Sequence, residues 1–376
     1  ERTSAGAADG ARRATSSGLD GVVVAETRLS EVDGERGRLV VAGHEIESLA
    51  GRASFEDMCA LLWTGALPDE AAREATRAAI ARGREVAFAR LGGLGDALDA
   101  ADGMDALRAG LAHLAPSSGA DAAAAVTGAA GVVAAAWHRR RAGLPAVAPD
   151  ARASHAEDYL RMTLGAAPSR AAVGGLDAYL VTVADHGMNA STFTARVVAS
   201  TGSDLVSAVV AGVCALKGPL HGGAPGPVLD MLDAVGEASR AAAWVDAELD
   251  AGRRIMGMGH RIYRVRDPRA FVLERALRGL GDASSSARLD LARAVEHAAE
   301  AALARRHPDR PLKANVEFYT AVLLEAVGLP RALFTPTFAA SRVAGWCAHV
   351  AEQARVGRLI RPASRYVGPE PPPPAS

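Results

Sequence analysis

Apolar positions recur at three- and four-residue intervals through most of the chain, and few stretches alternate with period two, so the pattern predicts helix almost throughout. Leu176, Tyr179, Leu180 and Val183 give one face of a helix that ends near Asp185-His186-Gly187. Residues 204–216 are apolar on nearly every side and read as a buried helix, broken at Lys217-Gly218-Pro219. Residues 68–83 and 104–114 carry two further helices. Ser54 caps a helix running to Leu62, with Asp57 at the place where Glu or Gln would complete a capping box, so the box is weak. Residues 317–327 form a helix closed by Gly328 and Pro330. Thr335-Pro336 reads as a cap followed by proline at the first helical position, opening a helix over 336–353. The Ala/Gly/Ser-rich stretch 116–130 reads as a loop leading into an alanine-rich helix, because apolar residues continue through Val132, Val133 and Trp137. One exception to the helical period lies near the start. The β-prone runs 22–25 and 39–42 flank a turn-like Asp33-Gly34-Glu35-Arg36-Gly37, which predicts a small hairpin. The ends, 1–17 and the proline-rich 369–376, read as disordered.

Composition narrows the function by exclusion. With 42 basic and 43 acidic side chains the net charge is -1, which gives no general pull toward nucleic acid or an anionic membrane. No apolar run approaches the ~18 to 20 residues of a membrane span, and the N-terminus lacks the apolar core of a secretory signal. Cys59, Cys214 and Cys347 are odd in number and have no metal-ligand spacing, so they read as reduced thiols of a cytoplasmic protein. Of the basic residues only Lys217 and Lys313 are lysine.

Four segments carry polar residues that a helical core does not need. In 184–192, His186 ends an apolar stripe, where it could simply satisfy helix carbonyls. In 217–226, His221 stands within a Gly/Pro-rich turn where the backbone can approach a ligand. In 256–269, His260 follows glycines and precedes Arg261, Arg264, Arg266 and Arg269. Arginine forks bind carboxylate or phosphate, although Arg264 and Arg266 equally fit a solvated loop. In the fourth, Glu317 opens an apolar helix, where it could serve only the helix dipole. Arg342 stands in a helix apolar all round, so it is buried and needs an anion, either an internal carboxylate or a substrate. Together these residues suit removal of a proton from carbon next to a carbonyl, with donors for the enolate and a clamp for an anionic co-substrate. There is no zinc pattern, no P-loop and no G-x-G-x-x-G opening a helix after a strand.

In these segments the chain resembles the citrate synthase family, over about 18–369. The matching stretches are ADHGMNASTFTARVVAST (184–201), GPLHGGA (218–224), GMGHRIYRVRDPRA (257–270), NVEFY (315–319) and RVAGWCAH (342–349), with Arg361-Pro362 and Tyr366-Val367-Gly368 at the end. The resemblance implies an all-α, two-domain enzyme acting as a homodimer. Its large domain would take 18–221 and 326–368, and its small domain 222–325, closing when oxaloacetate binds. By the resemblance, His221 stabilises the enolate of acetyl-CoA, Glu317 takes the methyl proton and His260 polarises the oxaloacetate carbonyl. His186, Arg269 and Arg342 would hold the oxaloacetate carboxylates, and Arg361 would reach them from the neighbouring subunit. Hydrolysis of citryl-CoA would then release citrate and CoA. No metal or cofactor is implied; acetyl-CoA is a substrate.

There are departures. The family has Asp where this chain has Glu317, and an extra methylene moves the carboxylate by about a bond length, enough to cost on the order of a hundredfold if uncompensated. Val41-Ala42-Gly43-His44 replaces a frequent Tyr-Arg-Gly-Tyr, and Asp102-Gly103-Met104 a His-Pro-Met. The β-rich N-terminal extension of hexameric, NADH-regulated members is not seen, so that regulation is not expected. Two alternatives stand beside citrate synthase. One is a 2-methylcitrate synthase using propionyl-CoA, since a methylene is worth only ~1 to 3 kcal/mol in a pocket. The other is a catalytically weak ligand-binding protein, favoured by Glu317 and disfavoured by His221 and His260. Finally, Lys217 and Lys313 each lie four residues before a candidate catalytic residue, which predicts an ammonium beside each segment.

Overall fold

A computed structural model describes residues 17–19, 21–114, 120–222, 225–259, 262–309 and 312–369. Of the expected disordered ends, 1–16 and 370–376 lie outside the described residues, as does His260.

The described chain is helical apart from one small antiparallel sheet, as the spacing of apolar residues predicts. The sheet joins β1 (Ser30–Asp33), β2 (Arg38–Val41) and β3 (His44–Glu45) in that order. Ser30 pairs with Val41 and Asp33 with Arg38, so the turn falls where Asp33–Gly37 places it. The first strand does not: 22–25 belongs to no strand, and the hairpin uses Ser30–Asp33 instead. A β-prone run needs a partner at the register the turn sets, and 22–25 is too far from the turn to meet β2.

The helices follow as α1 (Ile46–Leu49), α2 (Phe55–Thr64), α3 (Glu70–Arg90), α4 (Gly103–Ala112), α5 (Ala120–Arg141), α6 (His155–Leu164), α7 (Arg170–Val183) and α8 (Ala190–Ser200). Then come α9 (Leu205–Leu216), α10 (Pro225–Val235), α11 (Ala241–Asp250), α12 (Pro268–Arg278), α13 (Ala283–Arg306), α14 (Val316–Ala326) and α15 (Phe334–Val356). Many start at a side chain that accepts a hydrogen bond from a first-turn backbone N–H: Ser54, Asp69, Asp102, Ser154, Ser169, Asn189, Asp204, Asp267, Asp282 and Asn315. At Ser54 the box expected to be weak is complete, because the shorter Asp57 side chain still receives the Ser54 N–H at 2.9 Å.

Two sequence boundaries are corrected. Residues 120–130 are the first turns of α5, not loop. Their glycines serve close packing instead of a bend: a Cβ on Gly128 would lie 2.4 Å from the Ile80 carbonyl oxygen of α3. α15 begins at Phe334 behind an uncapped Leu333, so Thr335 is inside the helix and not its cap.

α15 is the central post. It packs against α2, α5, α7, α8 and α9, and Trp346, Val343 and Phe334 are fully enclosed. α9 is less enclosed than its sequence implies: Ser207 and Cys214 are exposed on one side. No helix among the described residues is long and apolar enough to cross a membrane.

Candidate active site

A cavity of about 1250 Å³ is lined from α7, α8, α12, α14 and α15, from residues 21–25 and 220–222, and from Gly259, Ile262 and Arg264. Its lining includes His186, His221, Arg269, Glu317 and Arg342, five of the seven candidates read from the sequence. His260 is outside the described residues, although its neighbour Gly259 lines the cavity. Arg361 is not brought there. It lies exposed in the extended segment after α15.

His221 is oriented by the start of α8. Asn189 caps that helix, and the Ser191 backbone N–H donates to His221 Nε2 at 3.2 Å. Ser191 Oγ also sits 2.7 Å from Nε2 and is held by the Trp346 indole N–H at 3.2 Å. An N–H aimed at Nε2 makes that nitrogen an acceptor, so the ring proton of the neutral imidazole is on Nδ1. Burial and the Arg342 charge pull the His221 pKa down to about 4, so the ring is neutral at pH 7.

Glu317 stands in the first turn of α14, whose cap Asn315 holds the loop before it by donating to the Gly259 carbonyl at 2.9 Å. Burial raises its pKa, and Arg269 partly offsets this. Arg269, almost wholly buried, makes a two-point ion pair with Asp267, Nε to Oδ1 at 3.0 Å and a terminal nitrogen to Oδ2 at 2.7 Å. Burial would lower its pKa, and Asp267 more than reverses that.

Arg342 is also buried. Its Nε donates to the Val183 carbonyl at 2.7 Å and its guanidinium lies over the Phe338 ring at 4.7 Å. Burial pulls its pKa down to about 10, with Asp185 opposing. No described carboxylate makes an ion pair with it, so of the two anions the sequence left open, the internal one is not found. His186 Nε2 lies 3.0 Å from the Tyr263 hydroxyl, which ties the turn after α7 to the loop 262–269.

The turn 184–189 rests on contacts that the sequence did not disclose. Asp185 Oδ1 takes a hydrogen bond from His349 Nε2 at 3.1 Å, and Oδ2 one from Ser30 Oγ at 2.5 Å. Ser30 Oγ accepts the Gly187 N–H at 2.9 Å. His349 Nδ1 faces Arg196, which pairs with Glu352 at 2.6 Å. Gly345 makes room for all this, since a Cβ there would meet the Ala184 carbonyl oxygen at 2.2 Å. Asp185, Ser191, Arg196, Tyr263 and His349 therefore join the site. Their sequence signal was weak, consisting of polar residues at helical spacing within apolar runs.

Arg266 is not the solvated residue its loop allowed. It pairs with Glu296 (2.8 Å) and Glu274 (2.8 Å) and lies over the Tyr319 ring. Arg264 lines the cavity with its side chain about half exposed. The two lysines are paired elsewhere: Lys217 with Asp105 at 2.6 Å on α4, and Lys313 with Glu300 at 2.7 Å on α13.

With this geometry in hand, the comparisons are informative. The family described as "Citrate synthase, C-terminal domain" matches residues 18–363. The citrate synthase of Haloferax volcanii is 38% identical over 370 residues, covering 93% of this chain and 95% of that protein. The 2-methylcitrate synthase of Mycobacterium tuberculosis is 37% identical, covering 94% of this chain and 90% of that protein. The citrate synthase of Thermoplasma acidophilum, solved in a ternary complex with carboxymethyl coenzyme A and oxaloacetate, superposes with a TM-score of 0.85 at 27% identity, covering 95% of this chain and 97% of that one.

Proposed function

The chain belongs to the citrate synthase family, and from that membership we propose that it condenses acetyl-CoA with oxaloacetate and hydrolyses citryl-CoA to citrate and CoA. The observation that carries this is the convergence of a neutral histidine, a half-buried carboxylate and two buried arginines on one cavity.

The chemistry follows from the residues. Glu317 takes a proton from the methyl group of the bound thioester. His221, with its proton on Nδ1, donates to the thioester oxygen as negative charge develops there, and being neutral it has no charge to lose. The enolate carbon attacks the oxaloacetate carbonyl, whose oxygen receives a proton from His260. Arg342, Arg269 and His186 hold the dianion, and no described carboxylate is ion-paired with Arg342. Holding both reactants in one cavity supplies orientation, and excluding water protects the enolate from protonation. In this reading 18–221 with 326–368 form the large domain, and 222–325 the small domain that closes on substrate. Two chains pair as a homodimer in the cytoplasm, with Arg361 reaching the neighbouring site. The reaction is the entry step of the tricarboxylic acid cycle.

The 2-methylcitrate synthase relative makes propionyl-CoA the second acyl donor to weigh. The deciding experiment measures CoA release from each acyl-CoA with oxaloacetate. The native protein should turn over acetyl-CoA faster than propionyl-CoA, and Glu317→Gln should lose on the order of a thousandfold in kcat. Native rates in Glu317→Gln would remove Glu317 as the base. Turnover of neither donor would leave a ligand-binding protein as the reading.

A further inference from the structure

Tyr179 belongs to the apolar face of α7 by its spacing, and it is only 1% exposed. A buried phenol normally finds a partner for its hydroxyl, because leaving one unpaired costs on the order of 1 to 3 kcal/mol. The two other fully buried tyrosines do so: Tyr159 with Thr337 at 2.8 Å, and Tyr319 with Glu296. The Tyr179 hydroxyl makes no hydrogen bond to a described residue. Tyr179 instead lines the cavity beside His186, Arg269, Glu317 and Arg342. Besides Tyr159, the charged groups that act on its phenol are Arg342, Arg269 and Glu317. Burial pushes its pKa up, so it keeps its proton at neutral pH and remains a donor.

We propose that Tyr179 is a substrate-binding residue, whose phenolic O–H donates to a carboxylate of the bound 2-oxo dicarboxylate between Arg342 and Arg269. With no described protein partner, the hydroxyl on the cavity wall is available to a bound anion. A dianion gains a donor that carries no charge and costs no further ion desolvation. The assignment rests on the oxaloacetate reading above. Its own content is that a residue of the apolar stripe reads the substrate.

Tyr179→Phe removes one oxygen and keeps the ring, so it separates packing from recognition. Thermal unfolding without ligand should stay close to the native temperature, because the ring packing is kept and no described protein hydrogen bond is lost. The KM for oxaloacetate should rise about tenfold or more, the shift in Tm caused by oxaloacetate should shrink, and the KM for acyl-CoA should stay within about twofold. Native KM and native ligand-induced shift in Tyr179→Phe would overturn the proposal. So would a fall in kcat with KM unchanged, which would place the phenol on Glu317 and not on the substrate. Arg342→Leu run alongside separates the two readings. If it abolishes the shift while Tyr179→Phe keeps it, only the tyrosine assignment fails. If oxaloacetate shifts the unsubstituted protein not at all, the oxaloacetate reading itself fails.

Discussion

Asp177, on α7 near the caps of α2, accepts the Phe55 backbone N–H at 2.8 Å. Burial and the adjacent Glu56 raise its pKa to about 8. Its folded value is thus above its unfolded value, so its contribution to stability is complete below about pH 4 and drains away as pH rises toward 8. Asp177→Asn keeps an acceptor for Phe55 and removes that drain. The variant should melt higher than the native protein at pH 8, and the gap should close by pH 4, as followed by circular dichroism. Buried His155 and half-buried His221 act at the other end: their values, about 3 and about 4, lie below the ordinary one, so stability falls as pH drops below about 6.5. At this scale the sequence was partly legible. His186, His221, Arg269, Glu317 and Arg342 stood out because polar side chains interrupt apolar or glycine-rich runs. Asp185, Ser191 and Tyr179 did not, since a short polar residue after a helix and a tyrosine on an apolar face have ordinary explanations, and only the fold brings Tyr179 to the cavity and Ser191 to His221.

Among the elements, α15 does the most to fix the site. It carries Arg342 toward the cavity, presses Trp346 on Ser191 and sends His349 to Asp185. The hydrophobic period showed that this helix is buried but not which turn it would touch; that contact is set by Gly345. Gly345→Ala must push α15 away from the 184–186 turn, because the carbonyl it meets is backbone and cannot rotate aside. We expect a loss of about 1 to 3 kcal/mol in chemical denaturation. The KM for oxaloacetate should rise with it, because Arg342 and His186 move apart. An unchanged KM at reduced stability would show that the two groups are positioned independently. Helix starts were legible wherever a capping side chain precedes an apolar run. The absence of a strand at 22–25 and the uncapped start of α15 were not, because register and burial, rather than local chemistry, decide them.

For the molecule as a whole, the proposed role of Arg361 makes each active site a product of two chains. Mixing Arg361→Leu protein with Glu317→Gln protein after subunit exchange tests this directly. A heterodimer then holds one site with both residues intact, and activity should recover to about a quarter of native for statistical pairing. If Arg361 served its own chain, every site in the mixture would be damaged and no activity would return. The overall architecture was legible because helix period and family motifs span nearly the whole chain, whereas the proposed role of Arg361 rests on the resemblance alone, since the residue lies exposed and away from the cavity of its own chain. The N-terminal hairpin leads to a different consequence. The Arg28 backbone N–H reaches Glu352 across 324 positions of sequence, Ser30 holds Asp185, and the Gly34 carbonyl accepts the Arg264 N–H at 2.9 Å. Segments made earlier therefore rest on segments made much later. At ribosomal speeds the hairpin waits on the order of tens of seconds for α15 to be synthesised. Throughout that interval its strand edges and the apolar walls of the future cavity are uncovered. The hairpin and the walls of the cavity are therefore expected to close only after α15 has emerged, so the site forms late in synthesis.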